Sequence, residues 1–124
     1  MKITQPIFSH AEPVLAVQDI NETITYWQNI LGFPVKWTWG EPPTHGSVSW
    51  HNAFIQFSLD PHLATASKGN SVWIRVQHVE SIYNFHKEKN AEIVAPLENK
   101  PWGMAQLHYQ RDQRIFFALC GNDE

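Results

Sequence analysis

Two stretches of the chain, VLAVQDINETITYWQNILGFPV at 14–35 and VWIRVQHVESIYNFHKEKNAEI at 72–93, run through the same order of strand, helix, turn and strand. Val17 answers Val76 at an offset of 59, while Ile24, Trp27 and Val35 answer Ile82, Phe85 and Ile93 at 58. One residue is therefore missing from the second strand-to-helix loop. A period this long with only two copies excludes the usual solenoids, whose short repeats must stack at least about three deep to bury a core. The pattern is that of a duplicated half-domain. With 124 residues in all, the chain is one domain, able to form a core without disulfides or metal staples. We divide it into module one at about 8–60, a polar linker at 60–70 (DPHLATASKGN) crossing the surface, and module two at about 71–121.

Local chemistry sets the elements within each module. Asp19 followed by Glu22 resembles a capping box, and Ile24, Trp27 and Leu31 recur at helical spacing, so helix one runs to about Leu31. Gly32 fits the left-handed residue that ends a helix, and Asn90 takes the equivalent place after the second helix. Val35 to Trp39, a Gly40-Glu41-Pro42-Pro43 loop and the alternating run Ser47-Val48-Ser49-Trp50 then read as strand, turn and strand. If His51 and Asn52 form a two-residue turn, Ser49 opposes Phe54 and Ser47 opposes Gln56, so these four share one sheet face and Val48, Trp50 and Ile55 the other. Each module is thus βαβββ, and the fold class is α+β.

Composition narrows the function. No apolar run approaches the roughly 20 residues of a membrane helix, and no apolar stretch follows the N-terminal Met-Lys-Ile-Thr-Gln-Pro, so a cytoplasmic protein is the expectation. A net charge of −3 without a Lys/Arg cluster argues against nucleic acid as a partner. The single Cys120 lies in the apolar run Ile115 to Cys120 and reads as a buried thiol.

The segments PVLAVQDINETITYWQNILGF (13–33), WGEPPTHG (39–46) and PLENKPWGMAQLHYQRDQRIFF (96–117) resemble the vicinal oxygen chelate superfamily of glyoxalase I, bleomycin-resistance proteins and extradiol dioxygenases. The likeness is greatest to the bleomycin-resistance-like branch. It implies two βαβββ modules that pair into a curled mixed sheet, a cup with helices on the outer face, and a homodimer. It also implies a divalent-metal site, carried over by position to Glu12 and Gln56 in module one and to Ser71 and Phe116 in module two. The repeat agrees, since Glu12 and Ser71 stand at the strand offset of 59. A divalent ion needs several nitrogen or oxygen donors. Glu12 is a competent ligand and Gln56 a possible one, but Ser71 is a weak neutral donor and Phe116 has none. No metal or other cofactor is therefore expected.

The histidines do not rebuild a metal site, because none pair at i, i+4 on a helix and no HExxH occurs. His51, His62, His78 and His86 read as solvated residues in a turn, the linker, a helix start and a helix flank. His45 and His108 have the better reach into the cup. Whether His108 or Tyr109 points inward depends on the turn at 111–114, because a one-residue slip swaps faces. Glu12 as a general base raised by burial is the conceivable metal-free catalysis, but nothing places a partner beside it, and no catalytic residue is assigned.

Replacing donors by aromatics turns a chelating cup into an apolar pocket. Phe54, Trp73, Phe116 and one of Trp37 or Trp39 are candidates to line it, with Trp27 and Trp50 read as core. The candidate ligand-binding residues are Glu12, Ser47, Ser49, Phe54, Gln56, Ser71, Trp73, Trp102, His108 and Phe116, with Trp102 in a loop that by resemblance borders the pocket. The leading expectation is metal-independent binding of a flat or cationic small molecule. A metal-dependent lyase, isomerase or dioxygenase is the enzyme alternative, and a dimeric scaffold with a vestigial pocket the third.

Overall fold

The computed structural model describes residues 4–67, 71–111 and 115–121, and the side chains of all of these except 110–111 and 115–117. Module one contains β1 (Val14–Val17), α1 (Ile20–Asn29), β2 (Val35–Trp39), β3 (His45–Trp50) and β4 (Ala53–Leu59), followed by a short helix, α2 (Pro61–Ala66). Module two repeats the order as β5 (Ser71–Arg75), α3 (Val79–Glu88), β6 (Ile93–Asn99), β7 (Ala105–Arg111) and β8 (Ile115–Gly121). The strands form two four-stranded mixed sheets, ordered β1-β4-β3-β2 and β5-β8-β7-β6. In each, the first strand runs parallel to the last and the rest is antiparallel. The duplicated α+β modules are as the sequence predicts. The sheets remain two: among the described residues no strand of one is hydrogen-bonded to a strand of the other.

The helix signals act where the sequence puts them. Asp19 Oδ1 accepts the Glu22 backbone N–H at 2.8 Å, satisfying one of the donors orphaned at a helix start. Helix α1 closes two residues before Leu31, where the N–H groups of Ile30 and Leu31 both turn to the Tyr26 carbonyl. Gly32 and Asn90 then take positive φ angles of 90° and 59°. The sequence reading gave no helix to the linker at 60–70. It carries α2, because Asp60 caps the Leu63 N–H at 3.0 Å and Pro61 sits in the first turn, where a missing N–H costs nothing. Gln18 Nε2 ties this helix back to the end of β1 through Thr65 Oγ1 at 3.0 Å.

Each helix covers one face of its own sheet. Ile20, Ile24, Trp27 and Leu31 meet Val17, Val48, Ile55 and Phe57 in module one, while Val79 joins Leu107, Tyr109 and Leu119 in module two, and all belong to one core. Gly46 on β3 admits this packing: a Cβ there would come within 2.8 Å of the Ile24 Cδ1. Trp27 is the largest of the fully buried side chains, and Trp50 packs edge-on to Phe33. Trp27 is core, as read, and Trp50 packs half-buried against it. Among the described residues no helix is long and apolar enough to cross a membrane.

His86 joins the modules, and here the sequence reading is overturned. It is 1% exposed rather than solvated. Its Nε2 lies 2.8 Å from the Leu31 carbonyl and its Nδ1 2.6 Å from the Tyr109 hydroxyl. A carbonyl only accepts, so Nε2 carries the proton and Nδ1 accepts from Tyr109. The end of α1 is thereby fastened through α3 to β7. The Tyr26 hydroxyl, accepting from the Glu92 N–H at 3.0 Å, makes a second link.

Burial holds the His86 imidazole below its ordinary pKa, against a smaller upward pull from the Leu31 carbonyl. The unfolded chain takes up a proton near pH 6.5 and the folded protein resists it. The stability of the neutral bridge is therefore complete above about pH 6.5 and is lost as pH falls through the depressed folded value. Urea unfolding at pH 8 and pH 5.5 should show a loss of stability that is smaller in His86→Gln. Tyr109→Phe, which strands a buried acceptor, should cost about 1–3 kcal/mol at pH 8 in the same assay.

Candidate functional site

Strand alternation gives each sheet one face without a helix. In the first sheet the hairpin turns at His51 and Asn52, and Ser49 pairs with Phe54 and Ser47 with Gln56, as the two-residue turn requires. Val35 and Trp37 on the edge strand pair with Ser49 and Ser47 and so share their face, with Trp39 beside His45. Val35, Trp37 and Trp39 are each more than half exposed. An apolar edge of this kind is unusual for a face turned to water.

Glu12 lies at the head of this face with its carboxylate divided between two partners. Gln56 Nε2 donates to one oxygen at 2.9 Å, and His10 Nε2 approaches the other at 2.9 Å. His10 in turn stacks on Phe54, with ring centroids 4.5 Å apart, and meets Ser9 Oγ at 2.7 Å. His10 is the site residue that sequence reasoning missed. Its spacing of two from Glu12, ahead of a strand, was the available signal, because i and i+2 share a face of extended chain. The Glu12 carboxyl is exposed and lies below its ordinary pKa, chiefly through the Gln56 hydrogen bond and then through His10. A general base raised by burial is thereby corrected: this carboxylate is a weaker base than usual.

The second sheet settles the choice between His108 and Tyr109. Tyr109 turns to the helix side and is 1% exposed. His108 pairs with Ala118, which pairs with Trp73, so all three share the open face. The Trp73 and His108 rings meet edge to face at 5.6 Å, with the small, fully buried Ala118 between their strands. Ser71 lies two residues before Trp73 on the same face, exposed. Trp102, 65% exposed, folds back so that its indole N–H donates to Gln106 Oε1 at 2.6 Å. Cys120 is a buried thiol whose pKa burial raises. Residues 112–114 of the compressed turn, and the Phe116 side chain, lie outside the described residues. The backbone of Phe116 pairs with Ser71.

The candidate residues therefore fall into two groups. Glu12, Ser47, Ser49, Phe54 and Gln56 lie on one open face, and Ser71, Trp73, Trp102 and His108 belong to the other sheet. The four positions carried over for a metal divide in the same way. Val14 pairs with Gln56, and its counterpart in the repeat, Trp73, pairs with Ala118. Neither Phe116 nor Ala118 carries a donor atom. Glu12 and Gln56, already engaged with each other, fall short of the donor set a divalent ion needs. Among the described residues no three His, Cys, Asp or Glu side chains are grouped to hold a metal ion.

The model of the Glyoxalase/Bleomycin resistance protein/Dioxygenase superfamily matches residues 7–122. No curated protein matches the chain in sequence. Among solved structures, the bleomycin-binding protein of Streptomyces verticillus, complexed with copper(II)-bleomycin, is similar with a TM-score of 0.78 at 17% identity over 97% of this chain and 100% of its own. TioX from Micromonospora sp. ML1 gives 0.76 at 19%, over 93% and 99%. The bleomycin resistance determinant encoded on transposon Tn5 gives 0.76 at 15%, over 94% and 100%. At these identities the likeness is one of fold.

The Glu12 arrangement is open to direct test. Gln56→Leu removes the donor that contributes most to the low carboxyl pKa, so carbon-13 NMR titration of Glu12 should give a value moved back up toward that of an ordinary glutamate. An unchanged titration would show that Gln56 does not hold the carboxylate in solution.

Proposed function

Because the chain belongs to the Glyoxalase/Bleomycin resistance protein/Dioxygenase superfamily, we propose that it is a small-molecule binding protein that works without a metal, by sequestering or carrying its ligand. The ligand class is a flat or cationic molecule. One observation carries this reading: the faces left bare by the helices are aromatic, with Trp37, Trp39 and Trp73 all more than half exposed. Aromatic surface of this kind gains most when a flat ring or a cation covers it, by roughly 0.5–2 kcal/mol for a well-placed cation. Glu12 adds a negative charge beside the first face, which favours the cation. The bleomycin binding stated for the similar Streptomyces verticillus protein supports a binding role for the fold without naming this ligand.

A homodimer fits the two-sheet arrangement. A two-fold axis that sets the first sheet of one protomer against the second sheet of its partner would bring the Glu12 group and the Trp73 group into one cup. It would also remove both aromatic faces from water.

The metal-dependent reading rests on the contacts of His10, Glu12 and Gln56, and the same experiment separates the two. Calorimetric titration of metal-stripped protein with Zn²⁺, Ni²⁺, Co²⁺, Mn²⁺ and Fe²⁺ should give no binding tighter than about 10 μM. Tight one-to-one binding abolished by Glu12→Ala would overturn the proposal in favour of metal-assisted chemistry. In parallel, Trp73→Ala should weaken a flat cationic dye such as ethidium at least about threefold, read by dye fluorescence, with the circular dichroism spectrum unchanged.

A further inference from the structure

Arg75 occupies an unusual position. It follows Trp73 by two residues on β5 and so stands on the same open face. Among the described residues its guanidinium, with five N–H donors, hydrogen-bonds only to the Met104 thioether, a weak acceptor, at 3.2 Å. Among the described residues no carboxylate pairs with it. Two strands away in the same row, across Cys120, stands Gln106. Gln106 is 3% exposed, and its orientation is fixed by Trp102, because an indole N–H can only donate and so takes the amide oxygen. The Gln106 NH₂ group therefore points the other way, and no protein acceptor takes it among the described residues. Among the described residues no fully buried polar side-chain atom lacks a partner, so this NH₂ keeps contact with solvent.

We infer that this row is an oxyanion-binding corner, in which Arg75 and the Gln106 carboxamide take the carboxylate or phosphate of a flat ligand whose ring lies on Trp73 and His108. The spacing suits it. Arg75 and Gln106 flank β8, so their backbones are about 10 Å apart, and the row of Trp73 and His108 lies about 6.7 Å further along the strands, within the length of a bicyclic ring. The Lys100–Met104 turn closes the far end, with the Lys100 N–H bonded to the Met104 carbonyl at 2.8 Å. It holds Met104 against the guanidinium and Trp102 over Gln106. The Arg75 charge already acts on this spot, since it pulls the Cys120 thiol pKa down against the larger effect of burial. A guanidinium with unspent donors and an inward carboxamide N–H form the pair of groups that charge-assisted hydrogen bonding to an oxyanion uses. Glu98, at the other end of the row, is engaged with Lys100 at 3.5 Å.

This assignment rests on the reading that the aromatic faces bind a flat ligand, and one set of titrations tests the two separately. The probes are 2-naphthoate, its uncharged methyl ester and 2-naphthyl phosphate, measured by calorimetry on the intact chain. Naphthoate is expected to bind about tenfold tighter than the ester. Arg75→Met, which keeps an unbranched apolar stem but removes the charge and the N–H donors, should abolish that preference, and Gln106→Glu, which keeps an acceptor for Trp102, should reverse it. Trp73→Ala should weaken both probes alike. If phosphate outranks carboxylate the natural anion is a phosphate, and the opposite order names a carboxylate. Equal binding of naphthoate and ester, or a preference that survives in a folded Arg75→Met protein, would overturn the corner and leave aromatic binding standing. If no probe binds, both readings fall.

Discussion

The His86 bridge is the interaction on which the relation between the two halves depends. Each βαβββ module satisfies its own strands and covers one sheet face with its own helix, so neither needs the other for its hydrogen bonds. What joins them is a shared core at the helix ends, and His86 fills it with a ring whose two nitrogens both need partners. The Leu31 carbonyl and the Tyr109 hydroxyl supply those partners from opposite modules. A buried polar group is costly when unpaired and directional when paired. The imidazole therefore adds geometry where an apolar side chain would add only contact.

A consequence of this packing is that the chain's chemistry is displaced to the faces the helices do not cover. Alternation along β3, β4, β5 and β7 sends Val48, Trp50, Ile55, Phe57, Ile74, Leu107 and Tyr109 to the core and sends Ser47, Ser49, Phe54, Gln56, Trp73, Gln106 and His108 to the open side. The two open faces differ in charge. Glu12, held by Gln56 and His10, marks the first, and Arg75 beside Trp73 marks the second. A ligand that spans a cup built from both would meet a carboxylate at one wall and a guanidinium at the other.

Much of this was legible in the sequence wherever the signal was local. The Asp19 cap, the left-handed Gly32 and Asn90, and the parity of the hairpin about His51 and Asn52 need only neighbouring residues to be read. The short helix after Asp60 was present in the same terms, as a capping aspartate followed by proline, but the polar composition around it read as linker. His10 escaped because its only signal was the spacing of two from Glu12, ahead of the first strand and outside any longer alternating run. His86 escaped for a deeper reason: a histidine on an amphipathic helix looks the same in sequence whether it meets water or a carbonyl 55 residues away.

The sequence by itself determined the duplication, the βαβββ order, the family and the poverty of metal donors at the carried-over positions, because these follow from residue types and short-range periodicity. Only the tertiary structure decided that His108 takes the open face and Tyr109 the core, that the two sheets stay separate among the described residues, and that Arg75 and Gln106 share a row with Cys120 between them. Strand register makes those choices. It is set by pairing between segments distant in the chain, and a shift of one residue would exchange every side chain from one face to the other.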